Sequence, residues 1–86
     1  MNLDEQRFLQ DLGSRIRQRR EELGLTQEQL AARAGIHRTY LGDIEGGRRN
    51  VALLNIERLS AALSLSLPAL FERVGVPEGE APSDDD

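Results

Sequence analysis

Thr39, Gly42 and Asp43, flanked by Arg38 and Tyr40, are spaced to present hydrogen-bonding groups side by side. At about 100° per helical residue they make one arc, with Leu41 and Ile44 pointing the other way. The chemistry open to such an arc is recognition of nucleic-acid base edges. Arg38, in the first turn, carries the paired donors that match guanine O6 and N7, and Thr39 can meet a thymine methyl or an acceptor. Gly42 has no side chain, so the helix can approach its target closely. Asp43 is the odd member, because a carboxylate repels phosphate unless it accepts from a cytosine amine or orients a neighbouring Arg. For any one of these residues the plain alternative is an ordinary solvated face.

Catalysis needs a nucleophile with its base, paired carboxylates or metal ligands. The sequence has one His (His37), no Cys and no Gly-rich phosphate loop; Gly46-Gly47 reads better as a helix stop. His37 stands where a helix cap or a phosphate contact would be. The expectation is a protein that is not an enzyme and has no cofactor, metal or small-molecule ligand.

The elements that must position the arc are legible from regular punctuation, and each segment between marks has helical period. Asp4 is expected to cap a first helix with Phe8, Leu12 and Ile16 inward, ending at Gly24. Thr26 with Gln29 three residues on is a capping-box pattern, opening a short second helix from Gln27 to Ala34. Gly35 breaks it, and a third helix runs from His37 to Glu45. After a polar loop of Arg48, Arg49, Asn50 and Val51 comes a fourth helix with Leu53, Ile56, Leu59 and Leu63 on one face. Pro68 is expected at the first position of a short fifth helix ending at Gly75. Residues 1–76 thus make one domain. Residues 77–86 hold two Pro, one Gly and five acids and no large apolar residue, which predicts a flexible acidic tail.

Composition agrees. Eighty-six residues leave no room for a second core, and without Cys no disulfide framework supports it. Three aromatics leave the core to Leu, Ile, Val and Ala, which suits helix on helix: the fold class is all-α. The start lacks the regions of a secretory signal and no apolar stretch approaches a membrane span, so a soluble, cytoplasmic protein is expected. The net charge of −4 misleads for a nucleic-acid binder. Without the five acids of the tail, eleven Arg face ten acidic residues. Every basic residue is Arg, which fits bidentate phosphate and guanine recognition or, equally, a general Arg-for-Lys bias.

Gln27 to Gly46, QEQLAARAGIHRTYLGDIEG, carries the joint pattern of two short helices around a tight turn. Leu30, Ala34, Ile36, Leu41 and Ile44 face inward, Ala31 sits where the helices cross, and Gly35 takes the turn. That pattern is a helix-turn-helix. From Leu12 to Phe71 the chain resembles the phage repressor/Cro (XRE-type) helix-turn-helix family, through LGSRIRQRREELGLTQEQLAARAG, IHRTYLGDIEGGRRN and NIERLSAAL. Within it, HRTYLGDIEGGRRN looks most like the controller proteins of restriction–modification systems.

The resemblance implies a compact five-helix repressor-like domain, a homodimer, and a double-stranded operator with half-sites about one helical turn apart. It implies that Gln27 bonds a phosphate, that Arg38, Thr39 and Tyr40 read bases or adjoining backbone, and that Arg49 and Asn50 grip backbone from the loop they share with Arg48. The sequence departs from the pattern at Ala52, where the family carries a Ser or Thr cap; Asn50 can take over that cap, in competition with its phosphate contact. The rival class is an antitoxin-type interaction module of a toxin–antitoxin pair on the same fold.

Glu45 lies about 40° from Leu41, beside the apolar face, where a carboxylate needs a partner. The resemblance sets an Arg and a Glu in contact at the positions of Arg20 and Glu45. The expectation is a buried ion pair, the alternative being that Arg20 faces phosphate. Near the C-terminus Leu65, Leu67, Leu70, Phe71, Val74 and Val76 exceed the needs of a one- or two-turn helix. The surplus at Leu67, Leu70, Phe71 and Val74 is expected to form the dimer contact, unless the monomer core absorbs it.

Overall fold

Asn2 opens the first helix of the computed structural model, which describes residues 2–76. Its side-chain oxygen accepts from the Glu5 N–H at 2.8 Å while the Glu5 carboxylate accepts from the Asn2 N–H at 3.2 Å. The cap is therefore Asn2 and not Asp4, which sits in the first turn where its charge suits the helix dipole. The elements are α1 (Leu3–Glu22), α2 (Gln27–Ala34), α3 (Arg38–Glu45), α4 (Leu53–Ala62) and α5 (Leu67–Leu70), with no strand among the described residues. The tail at 77–86 lies outside the described residues.

Local chemistry explains most boundaries. Thr26 and Gln29 make the reciprocal cap of α2, with bonds of 3.1 and 2.8 Å. Gly35 ends α2 at φ +71°, a left-handed geometry that side chains resist. His37 and Ala52 precede α3 and α4 without a side-chain cap. Asn50 does not take over at α4, because its side-chain oxygen accepts from the Val51 N–H at 2.9 Å. Ser66 caps α5 through the Ala69 N–H at 3.2 Å. Pro68 is the second residue of α5 instead of the first, and the helix stops at Leu70 well before Gly75, with turns between.

One core joins all five helices: Leu12, Ile16, Leu30, Ala31, Ala34, Leu41, Ile44, Ile56, Leu59, Leu63 and Leu70 are buried in it, with Leu25 from the loop. α1 lies against α3 and α5, and α2 lies between α3 and α4. α1 and α3 cross closely at Gly13, where a Cβ would land on the carbonyls of Ile44 and Glu45. Arg15 donates to the Ala69 carbonyl at 3.2 Å and Arg19 to the Leu63 carbonyl at 3.0 Å, tying α1 to the C-terminal elements. No helix among the described residues is long and apolar enough to cross a membrane.

Three side chains depart from expectation. Phe8 is 41% exposed and Leu9 takes the inward place; the Phe8 ring stacks on Phe71 instead, centroids 6.5 Å apart. Leu53 is 75% exposed at the first turn of α4, although it falls on the helix's apolar side. Leu70 is fully buried in the monomer core, so it is withdrawn from the expected dimer contact.

Candidate nucleic-acid interface

α3 is presented on a scaffold that fixes its roll and its height. Leu41 and Ile44 anchor its inner face in the core. At its C-terminal end Glu45 accepts from Arg20 Nε at 2.7 Å and Nη2 at 3.0 Å, a fork matched to the carboxylate. The two side chains are 11% and 4% exposed. Arg20 Nη1 also donates to the Leu25 carbonyl at 2.8 Å, so one guanidinium fastens α1, the loop before α2 and the end of α3. The hydrogen bond to Glu45 raises the Arg20 pKa, against the opposing effect of burial, and the guanidinium stays charged at any working pH.

The outer face of α3 begins with two exposed residues, Arg38 and Thr39. One turn on, Gly42 leaves open space in which the nearest atom to a Cβ would be Gln27 Oε1, 3.9 Å away. Gln27 stands at the start of α2, and its Nε2 donates to Glu45 Oε1 at 3.0 Å. That bond links the residue expected at a phosphate to the ion pair. His37, just before α3, is exposed.

Tyr40 is half-buried against the core, and its hydroxyl accepts from Asn55 Nδ2 at 3.2 Å. Asn55 in turn accepts from Arg58 at 3.1 Å. The Arg49 guanidinium lies 5.1 Å from the centre of the Tyr40 ring, within cation–π range. Asp43 meets Arg48 at 3.2 Å and Arg49 at 3.9 Å. Arg48, Arg49 and Asn50 are exposed in the loop that follows α3. The structure thus brings Arg38, Thr39, Tyr40, Asp43, Arg48 and Arg49 together on one side, with His37 and Gln27 at its edge. Sequence reading missed Asn55 and Arg58. Fifteen residues separate Asn55 from Tyr40, and no local pattern announces such a contact. Among the described residues no group of His, Asp and Glu could hold a metal ion.

A helix-turn-helix family model matches residues 16–70 of this chain. The control protein C.MunI of a Mycoplasma species is 45% identical over 56 residues, covering 65% of this chain and 76% of that protein. The crystal structure of the restriction–modification controller protein C.AhdI from Aeromonas hydrophila superposes with a TM-score of 0.72 at 44% identity. It covers 73% of this chain and 96% of that one. SinR, described as a master regulator for biofilm formation and solved in complex with DNA, superposes with a TM-score of 0.66 at 36% identity, covering 70% and 97%.

Proposed function

The chain belongs to the helix-turn-helix family of DNA-binding transcription regulators, a class that is not enzymatic, and from that premise we propose that it binds a two-fold operator as a homodimer and controls restriction–modification genes. One observation carries the reading: the pairing of exposed Arg38 and Thr39 with the open face at Gly42, on a helix held by Leu41, Ile44 and Glu45. A B-form major groove is wide enough for such a helix, and base edges there present distinct donor and acceptor patterns.

The parts divide the work. Arg38 and Thr39 read base edges from the first turn of α3. Gly42 admits the groove wall. Arg48 and Arg49 hold the backbone beyond the recognition helix, and Gln27 holds it from the start of α2, each phosphate contact adding to affinity without choosing a sequence. Tyr40 supports Arg49 from below through its ring, and Asn50 offers its amide to the same strand. A regulator of this kind works in the cytoplasm, where its operator is.

The exposed apolar groups of the fold supply a two-fold contact. Leu53 and Leu54 are 75% and 69% exposed in adjacent positions at the start of α4. Leu67 is exposed beside half-buried Phe71 and Val74. The rival reading, a toxin-masking module on the same fold, can also bind DNA, but masking a toxin does not by itself call for Arg38, Thr39 and the open Gly42 face.

Selection of bound duplexes from a random pool tests the function. The expected consensus is a near-palindrome whose half-sites lie about 34–36 Å apart, one helical turn. Enrichment of no sequence, or of a lone half-site, counts against the proposal.

A further inference from the structure

Asp43 is placed where a carboxylate has two reasons to be unfavourable. It lies on the DNA-facing arc of α3, so its charge opposes the phosphates of any duplex that approaches. It also stands in the C-terminal half of that helix, whose dipole disfavours negative charge there. What offsets both is the loop that follows. Asp43 Oδ1 accepts from Arg48 Nη2 at 3.2 Å and Nε at 3.4 Å, and Oδ2 faces Arg49 Nη1 at 3.9 Å. Each carboxylate oxygen answers one arginine.

Each arginine also has a contact besides that carboxylate. Arg48 Nη2 also donates to the Gly42 carbonyl at 3.2 Å, and Arg49 rests on the Tyr40 ring. With uncharged partners holding both guanidiniums, what Asp43 adds is charge. The arginine side chains are 64% and 56% exposed, so the pairs are weak and readily exchanged for other anions.

We propose that Asp43 is an intramolecular counterion: it occupies Arg48 and Arg49 in the free protein, yields them to backbone phosphates on DNA, and so sets a ceiling on affinity for DNA of any sequence. The proposal rests on the DNA-binding function given above. When the arginines move to phosphates the freed carboxylate takes up a cation of its own, so the net release of ions on binding is smaller than it would be without Asp43.

The test measures binding of the full chain to its selected operator and to a shuffled duplex of equal length, across a salt series. Asp43→Asn should bind both duplexes about three- to eight-fold tighter near 0.1 M salt, with the salt slope steeper by about one. The selected consensus should not change. Asp43→Ser, neutral but without an amide, should behave alike, and thermal unfolding of both variants should show a folded chain. In a background with Arg48 and Arg49 both changed to Gln, the gain should shrink. Weaker binding to both duplexes would overturn the proposal, by showing that the carboxylate positions the loop. A loss confined to one base pair would overturn it in favour of cytosine reading. Unchanged affinity, or a full gain without the two arginines, would also overturn it. Wild-type protein that binds neither duplex would overturn the DNA-binding function and this proposal with it.

Discussion

Arg38 and Arg49 are both exposed cations on one side of the molecule, yet they ask different things of DNA. Arg38 stands in the first turn of α3, the place from which the proposed function has it read a guanine edge, while Arg49 rests on Tyr40 in the following loop, where the same proposal has it hold backbone. Arg38→Ala should therefore cost about 1–3 kcal/mol on the best operator and relax preference at one base position. Arg49→Ala should weaken binding to all sequences evenly and flatten the salt slope by about one. Repeating the selection with each variant checks both, and an unchanged consensus for Arg38→Ala would remove its base-reading role. Arg20 is a cation of a third kind, turned inward. Its fork on Glu45 and the Gln27 amide supply the buried carboxylate with three donors. Removing one partner leaves the other charge desolvated, which costs about 3–5 kcal/mol, whereas an exposed pair is worth under about 1 kcal/mol. A double-mutant cycle on urea unfolding with Arg20→Met and Glu45→Gln should return a coupling energy well above the exposed range. Zero coupling would show that the pair does nothing for stability.

Some helix boundaries follow from single residues, and those are the ones legible in the sequence, while the cap of α1 and the extent of α5 are not. Thr26 and Gly35 act on the backbone within three residues of themselves; Ser66 does the same for α5, a cap that the sequence reading passed over in favour of Pro68. Which face of a helix is buried is harder to read. Phe8, Leu12 and Ile16 repeat every four residues, a spacing that drifts about 40° per step, and Leu9 fits the core stripe better. Leu53 fails for another reason: periodicity says which side of a helix is apolar and is silent on whether anything stands opposite. The same limit applies to Asn55 and Gly13, whose roles exist only between elements. Gly13 reads as a weak helix residue, yet in the fold it lets α1 lie on the backbone of α3. Gly13→Ala should force the two helices apart and destabilise the protein by about 1–3 kcal/mol, the range for overpacking. The shift reaches α3 itself, so operator affinity should fall in step with stability. A variant as stable as wild type would refute the close crossing. Ala52 offers the opposite experiment. α4 starts without a side-chain cap, so Ala52→Ser should stabilise by about 0.5–2 kcal/mol in urea unfolding. Its DNA affinity should hold, because Asn50 already bonds Val51 and loses no cap to the serine.

At the scale of the whole molecule, the proposed homodimer must draw on the apolar surface left over after folding. Leu70 is spent on the core, and Phe71 is half-buried on Phe8, so the C-terminal elements offer less to a partner than their composition suggests. Leu53 and Leu54 offer more. They touch little within the chain, and they follow directly on the loop of Arg48 and Arg49. In the homodimer proposed above, a contact there would lie close in sequence to the loop that the proposal assigns to the DNA backbone. A contact made by exposed leucines can be broken without touching the core. Leu54→Asp should leave the unfolding midpoint of the monomer near that of wild type. In sedimentation it should convert a micromolar dimer to monomer. Operator affinity should then fall steeply, because each half-site must be bound alone and the advantage of linkage is lost. Leu67→Asp separates the two surfaces: if it dissociates the dimer and Leu54→Asp does not, the contact lies at α5. A wild-type chain that stays monomeric at high concentration and binds one half-site would rule out both surfaces, and the two-fold operator with them.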